Sequence, residues 1–143
     1  MKLFLDTSVL VAAVLTSHQH HEPSVAVFAK ANPKTACCAA HTLAELYATL
    51  TRMPGRKHIV ADEALLILDE VEARLEIVHL SVREYRLAIN QAAHHGVLGG
   101  TIYDALLGYS ALKAGATRIL TWNVAHFQLL GPEIAGKVQT PQP

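Results

Sequence analysis

Four side chains that can offer oxygen ligands, Asp6, Glu45, Asp104 and Asn123, are the residues of this sequence best suited to chemistry. Each lies at the end of a predicted strand or in the first turns of a predicted helix. Mg²⁺ and Mn²⁺ are hard cations that prefer such oxygen ligands. A bound ion lowers the pKa of its water and so makes hydroxide available near neutral pH. Brought together by a fold, these side chains would form a divalent-metal site suited to phosphodiester chemistry.

Asp6 follows the apolar run Leu3–Leu5 and precedes the helical pattern of residues 9–15. A short apolar run that leads into a helix predicts a buried parallel strand. Asp6 would then lie at the carboxyl end of that strand, where open α/β sheets bind their ligands. The alternative is that Asp6, with Thr7 and Ser8, only caps the helix that follows. This stretch supports both interpretations equally.

Glu45 lies in a predicted helix and points away from its apolar side. The core side of that helix is predicted from apolar spacing to be Leu43, Leu46, Tyr47 and Leu50. The alternative is a capping box between Thr42 and Glu45, which requires no catalytic role. Taken alone, this segment favours the cap.

Asp104 and Asn123 complete the set. Asp104 lies near the start of the helical pattern 101–112, which is apolar or small nearly all the way round and predicts a buried helix. A buried, ionised Asp needs a partner or a metal; the alternative is a favourable interaction with the helix N-terminus. Asn123 follows the strand pattern Arg118–Thr121, and its alternative role is to shape a loop.

Four segments carry a resemblance to a known family: Phe4–Leu10, Leu43–Leu46, Ile102–Leu107 and Leu120–Phe127. Their content, order and spacing resemble those of the PIN-domain ribonucleases, and more narrowly those of the VapC-type toxins of bacterial toxin–antitoxin pairs. The resemblance runs along almost the whole chain. It implies a three-layer α/β/α sandwich, an antitoxin partner of the VapB type and a homodimer.

The resemblance also implies a metal-dependent endoribonuclease with Mg²⁺ or Mn²⁺ as its cofactor. Asp6, Glu45 and Asp104 match the family's acidic metal-binding and catalytic positions. Asn123 stands at a fourth catalytic position, where many members have Asp and some have Asn, and His126 stands where an acid often precedes the Phe. Because a neutral amide does not offset metal charge, we expect one tightly held ion in the free protein.

Length and composition agree with a single globular domain. The chain has 143 residues, of which 51% are hydrophobic and 17% charged, and this composition argues against disorder. We expect one domain over residues 1–138 and a frayed tail over 139–143. The alternation of strand and helix patterns predicts an α/β domain with a central, mostly parallel sheet. The remaining strand is predicted at 76–80, and further helices at 82–95 and from Asp62 onwards, with core positions Leu65, Leu68, Val71 and Leu75.

RNA contacts must rest on local charge, because the formal net charge of the chain is zero. The best candidate is the Pro-Gly loop that contains Arg52, Arg56 and Lys57 at the end of the Glu45 helix. The alternative is an ordinary surface loop with cations near a helix C-terminus. These two interpretations are equally supported.

Cysteine and histidine usage indicates the setting. Cys37 and Cys38 are adjacent in a predicted strand, so they should point to opposite faces as buried, inert thiols of a reducing cytoplasm. His18, His20 and His21 fall in the first long loop without a Cys partner at ligand spacing, so no structural zinc is expected. We found no signal peptide or membrane-spanning pattern, and we expect a soluble, cytoplasmic protein.

Three functions of different classes are compatible with these residues. The first is a metal-dependent endoribonuclease that acts as a toxin. The second is a PIN-like module that binds RNA or protein with little catalysis, as suggested by Asn123 and His126. The third is a phosphotransferase or phosphatase with Asp6 as a covalent nucleophile. That chemistry would usually require a nearby Lys or second Asp, and the Asp6-Thr7-Ser8 segment offers neither.

Overall fold

The computed structural model describes residues 1–55 and 58–142. Strands and helices alternate through most of this chain, as predicted. The elements are β1 (Leu3–Leu5), α1 (Thr7–Val14), α2 (His21–Lys30), β2 (Ala36–Ala39), α3 (Ala40–Arg52), α4 (Ala61–Arg74), β3 (Glu76–Val78), α5 (Val82–His94), α6 (Thr101–Lys113), β4 (Arg118–Leu120), α7 (Val124–Gln128), α8 (Pro132–Ala135) and β5 (Val138–Gln139).

The sheet has the strand order β3-β2-β1-β4-β5, and all neighbouring strands are parallel. β1 is central, with Phe4 opposite Cys37 of β2 and Ile119 of β4. The carboxyl ends of parallel strands lie along the same edge of a sheet. The segments that follow β1, β2 and β4 are therefore neighbours, although they are far apart in the sequence.

Helices cover both faces of the sheet, because successive side chains of a strand point in opposite directions. Phe4 and Cys37 belong to the hydrophobic core under α5, α6 and α7, whereas Leu5 and Cys38 belong to the core under α1, α3 and α4. This arrangement confirms the predicted α/β sandwich with a central parallel sheet. It also confirms that the two cysteines, both free and buried, point to opposite faces.

Two expected core positions are wrong. Tyr47 and Leu65 are 37% and 53% exposed, although both match the apolar spacing of their helices. In each of these helices the buried stripe passes through a small or polar residue that the apolar pattern does not include. Thr42 on α3 and Ala64 on α4 are fully buried.

The segment after α1 also differs from the expected long loop. α2 begins at His21 and packs against α1, and His21 Nδ1 lies 2.9 Å from the carbonyl oxygen of Ala12 in a hydrogen bond. Pro23 lies in the first turn of α2, where proline is tolerated because its missing N–H has no helical partner. The sequence prediction also lacked the short elements α7, α8 and β5.

The C-terminal residues contribute to the sheet edge. Gln139, which falls in the predicted frayed tail, belongs to β5 and pairs with Leu120 of β4. The division into a domain over 1–138 and a tail over 139–143 stays a prediction. In the described part of the chain, no helix is both long enough and apolar enough to cross a membrane.

Candidate active site

A cavity of about 440 Å³ opens at the carboxyl edge of the sheet. It brings together the four side chains that the sequence singled out, Asp6 after β1, Glu45 on α3, Asp104 on α6 and Asn123 after β4. The rest of the lining comes from Thr7, Ser8, Val11, His18, Gln19, His20, Thr49 and Trp122. Four separate segments of the chain thus supply the candidate ligands.

Asp6 is held at the centre of the site by hydroxyl groups. Its Oδ2 accepts hydrogen bonds from Ser8 Oγ and from Thr121 Oγ1, both at 2.7 Å, and a longer one of 3.4 Å from the Ser8 N–H. Asp6 is also the N-cap residue of α1, so the capping alternative is confirmed, and Asp6 lines the cavity as well. The residue is only 3% exposed, and these bonds fix the direction of its carboxylate.

The hydroxyl groups around Asp6 extend this network to the end of β4. Ser8 Oγ accepts a 3.0 Å hydrogen bond from the Trp122 N–H, and Thr121 Oγ1 accepts one of 2.9 Å from the Asn123 N–H. Each hydroxyl donates to Asp6 and accepts from a backbone amide, so its bonding capacity is well used. The loop after β4 is therefore positioned relative to Asp6 by side-chain contacts.

Glu45 does not form the capping box that its local sequence favours. α3 begins at Ala40, which places Thr42 inside the helix, and the N-cap residue Ala39 makes no side-chain cap. Thr42 Oγ1 is buried without a hydrogen-bond partner among the described residues. Glu45 Oε1 instead accepts a 2.9 Å hydrogen bond from Thr7 Oγ1, so its carboxylate points into the cavity toward α1.

The electrostatics of Glu45 indicate a crowded acidic site. Burial raises the pKa of the Glu45 carboxyl above its ordinary value, and the nearby charges of Asp6 and Asp104 raise it further. The hydrogen bond from Thr7 and the proximity of His41 act in the opposite direction. Carboxylates that raise one another's pKa repel, and a cation bound near them would relieve that repulsion.

Asp104 lies in the first turn of α6 with its side chain 27% exposed. Burial, and then the charge of Asp6, raise the pKa of the Asp104 carboxyl, while nearby His126 lowers it. His126 Nδ1 lies 3.5 Å from Asp104 Oδ2, and the imidazole is 61% exposed. The N-terminus of α6 stabilises the negative charge of Asp104. The imidazole of His126 is a second partner of Asp104, at a position where the family resemblance leads one to expect an acid.

Asn123 is exposed and precedes α7, yet its side chain makes no cap hydrogen bond. Its backbone N–H is engaged by Thr121, as described above, so the loop geometry relies on the main chain of this residue. The amide side chain faces the same cavity as the acids. It can therefore offer a neutral oxygen to a ligand there.

The donor set fits a hard divalent cation. Carboxylate and amide oxygens are the ligands that such ions prefer, and Asp6, Glu45 and Asp104 with Asn123 could supply them. Within residues 1–55 and 58–142, no three His, Cys, Asp or Glu side chains are placed to bind one ion together. Mg²⁺ commonly binds only one or two protein carboxylates and keeps several waters, an arrangement that these side chains permit.

Of the predicted RNA-binding residues, Arg52 lies beyond one end of the cavity. Arg52 ends α3, and its position seven residues after Glu45 places it on the same side of the helix, about 10 Å along the axis. Thr49, which lines the cavity, lies between them on that side. Arg56 and Lys57 lie outside the described residues.

Sequence reasoning missed several residues of the site. Thr7 and Ser8 were considered only as caps, and Thr121 only as part of a strand, because hydroxyl groups are common in both settings. Trp122 and His20 were not considered at all as cavity residues. Their proximity depends on the pairing of β1 with β4, which local patterns do not predict.

The comparisons with known proteins agree with the fold and identify the family. The family model described as "PIN domain" matches residues 3–126, a range that contains all four candidate ligands. Ribonuclease VapC40 of Mycobacterium tuberculosis is 36% identical over 116 residues, which cover 81% of this chain and 82% of that protein. Ribonuclease VapC27 of the same species is 30% identical over 111 residues, covering 78% and 77%. The chain belongs to the PIN-domain family.

Solved structures show the same fold. VapC20 of Mycobacterium tuberculosis, described as a Sarcin-Ricin loop cleaving toxin, matches with a TM-score of 0.75 at 18% identity, covering 99% of this chain and 100% of that one. VapBC2 from Rickettsia felis, bound to a DNA fragment from its promoter, matches with a TM-score of 0.67 at 21% identity, covering 98% of both chains. At 18% and 21% sequence identity, the structural similarity establishes the fold alone.

Proposed function

We propose that this protein is a metal-dependent endoribonuclease that hydrolyses RNA phosphodiester bonds and acts as the toxin of a toxin–antitoxin pair. The observation that carries the proposal is the common cavity of Asp6, Glu45 and Asp104, in which burial and then neighbouring acids raise the pKa values of Glu45 and Asp104. Such repulsion is costly unless a cation offsets it. The ribonuclease names of VapC40 and VapC27, at 36% and 30% identity, support RNA as the substrate.

The residues of the chain would position the metal ion and its ligands for the reaction. When bound, Mg²⁺ or Mn²⁺ would supply a water of lowered pKa and offset the charge of the phosphate. One or two of the carboxylates of Asp6, Glu45 and Asp104 would bind the ion directly and the rest would bind its waters, with Asn123 as a neutral fourth position. The hydroxyl groups of Ser8 and Thr121 keep Asp6 in one orientation, and the hydroxyl of Thr7 does the same for Glu45.

Arg52 is proposed to contact the RNA backbone, together with Arg56 and Lys57. The position of Arg52 at the end of α3 supports this role, because a strand bound in the cavity could continue along the Glu45 side of that helix. Contacts between cationic side chains and phosphates supply affinity without base specificity.

The test is cleavage by three charge-neutralising variants, Asp6→Asn, Glu45→Gln and Asp104→Asn. We expect each to lose RNA cleavage while its circular dichroism spectrum and cooperative unfolding are retained. The unmodified chain should cleave RNA with added Mg²⁺ or Mn²⁺ and stop when EDTA is added. Full activity of the Asp104→Asn protein would overturn the site assignment.

A second function remains for the same fold, a PIN-like module that binds RNA or protein with little catalysis. Asn123 and His126 favour it, because each stands where the family resemblance leads one to expect an acid, and His126 already contacts Asp104. Binding of RNA without cleavage at any Mg²⁺ or Mn²⁺ concentration would establish this alternative.

The proposed partners are a VapB-type antitoxin and a second copy of this chain, in the cytoplasm. Exposed apolar residues on α4, where Leu65 and Leu66 are 53% and 68% exposed, offer a surface for association. Two-fold homodimers are the commonest soluble assemblies. Light scattering at micromolar concentration should report a dimer, and a monomer would contradict this part of the proposal.

A further inference from the structure

Two stacked pairs of aromatic rings lie beside the acidic site. The imidazole of His20 lies parallel to the indole of Trp122, with ring centroids 3.8 Å apart and an interplanar angle of 7°. The imidazole of His41 lies nearly parallel to the phenol ring of Tyr103, at 5.7 Å and 9°. Neither pair is needed to explain how the acids are held in place.

The two pairs lie on opposite sides of Asp6. Trp122 follows β4 and His41 follows β2, and these strands flank β1, at whose end Asp6 lies. Neighbouring strands are ~4.8 Å apart, so the ends of β2 and β4 are separated by ~10 Å. Along the sheet edge, the end of β1 with Asp6 therefore lies between the two pairs, of which His20 and Trp122 line the cavity and His41 and Tyr103 lie outside its lining.

The two residues of the His41–Tyr103 pair lie close in the sequence to two of the acids. Tyr103 precedes Asp104 at the start of α6, and His41 lies one turn before Glu45 on the same side of α3. Tyr103 is 53% exposed, so packing in the core does not account for its position. An exposed aromatic ring next to an acidic site is a surface on which a ligand ring can stack.

The His20–Trp122 pair is held rigidly inside the cavity. Trp122 Nε1 donates a 2.8 Å hydrogen bond to Oγ of Ser24, which is fully buried on α2. The Trp122 backbone N–H donates to Ser8 Oγ, the same hydroxyl group that donates to Asp6. The indole plane is thus fixed relative to Asp6 before any ligand binds, which reduces the entropy lost on stacking.

Aromatic surfaces are important for RNA binding by this protein because its net charge does not attract RNA. With a formal net charge of zero, the chain has no general basic field that would attract RNA. Stacking of bases on aromatic side chains is an uncharged source of affinity, and it requires unpaired bases with exposed ring faces.

We propose that the His20–Trp122 and His41–Tyr103 pairs are base-stacking platforms that hold unpaired nucleobases on the two sides of the scissile phosphate. The phosphate between these bases would lie beside Asp6, Glu45 and Asp104. This inference rests on the proposed ribonuclease function and adds the residues that grip the bases. Because every base has a ring face that can stack, binding at these two positions would depend little on base identity.

Trp122 is the only tryptophan of the chain, so its fluorescence reports directly on one platform. Binding is measured in the Glu45→Gln protein with EDTA, using a pool of short single-stranded RNA of randomised sequence. We expect this RNA to quench Trp122. A ribose–phosphate chain of the same length without bases should bind more weakly by at least ~5- to 100-fold, the range for one stacked base, because it lacks the bases for both platforms.

Substitutions separate stacking from a structural role. In the same background, Tyr103→Ala and His20→Ala should each weaken binding of the RNA pool by ~5- to 100-fold. Tyr103→Phe should bind like the parent protein, since it keeps the ring. The matched control is Tyr47→Ala, because Tyr47 is 37% exposed and lies on α3 roughly opposite to Glu45, and it should change nothing. In proteins with Glu45 intact, Tyr103→Ala should raise KM more than it lowers kcat.

Equal affinity for RNA with and without bases would overturn the proposal. So would unchanged RNA binding by both Tyr103→Ala and His20→Ala. These outcomes are distinct from failure of the proposed function. A protein that cleaves RNA normally with both platforms substituted refutes the platforms alone, and one that binds bases as expected but never cleaves refutes the nuclease alone.

Discussion

Thr7 Oγ1 donates a 2.9 Å hydrogen bond to Glu45 Oε1 and thereby joins the first turn of α1 to the middle of α3. The bond orients a carboxylate whose pKa is raised by burial and neighbouring acids, and it opposes that rise. Thr7 follows Asp6 directly, so one short segment after β1 both supplies an acid and positions another.

Thr7→Val should impair the reaction without unfolding the protein, because it removes the hydroxyl group and keeps the shape of the side chain. We expect kcat/KM to fall by about 10-fold or more, as hydrogen bonds to charged groups contribute ~1.5–3 kcal/mol. Because the bond lowers the pKa of Glu45, its loss should move the acid limb of the pH–kcat/KM profile to higher pH. Thr7→Ser is the control and should retain most activity. An unchanged profile for Thr7→Val would show that this bond does not serve the reaction.

The acidic site should destabilise the metal-free protein as the pH rises. Glu45 and Asp104 have folded-state pKa values above their ordinary values, so the folded chain binds protons more tightly than the unfolded chain. Their contribution to stability is complete below the unfolded pKa values, near 4, and is lost as the pH rises through the folded values.

Asp104→Asn and Glu45→Gln should therefore raise the Tm of the metal-free protein by a few degrees at pH 7 and by much less near pH 4. Added Mg²⁺ should stabilise the unmodified chain more than either variant, because a ligand that binds the folded state raises its stability. Thermal unfolding at both pH values, with EDTA and with Mg²⁺, is the measurement. A lower Tm of both variants at pH 7 would contradict the predicted repulsion.

Asn123→Asp should lower the Mg²⁺ concentration required for half-maximal cleavage, with a smaller effect at saturating metal. Hard divalent cations gain affinity as the number of charged ligands rises, and Asn123 faces the cavity of the acids. Asn123→Ala should raise the metal requirement if the amide binds the ion. If it only shapes the loop, alanine should reduce thermal stability equally with and without metal. Identical metal titrations for all three forms would remove Asn123 from the site.

Cys37 and Cys38 should not react with thiol reagents in the folded protein at neutral pH. Burial raises the pKa of the Cys37 thiol to about 11 and that of Cys38 to about 12, and the thiolate is the reactive form. Both thiols should react promptly after denaturation in urea, which serves as the positive control. Rapid modification of the native protein would indicate that the central strands open readily.

Local sequence patterns were sufficient for the elements that carry the acids. The apolar run that ends at Asp6 predicted β1, the helical spacing around Glu45 predicted α3, and the nearly all-apolar segment around Asp104 predicted α6. These signals are local, since burial of a strand or of a helix face imposes its own period on the residues concerned. The resemblance of four segments to the PIN-domain family then predicted that Asp6, Glu45 and Asp104 act as a set.

Only the tertiary structure decided which groups meet in the cavity. The spacing of Thr42 and Glu45 indicated a capping box, but α3 begins at Ala40, and Glu45 bonds with Thr7 instead. Likewise, the stack of His20 on Trp122 requires the pairing of β1 with β4 and the packing of α2 on α1. Contacts between residues distant in the chain depend on strand order and helix docking. The free energies of strand order and helix docking are sums over many side chains, so no short segment of the sequence predicts them.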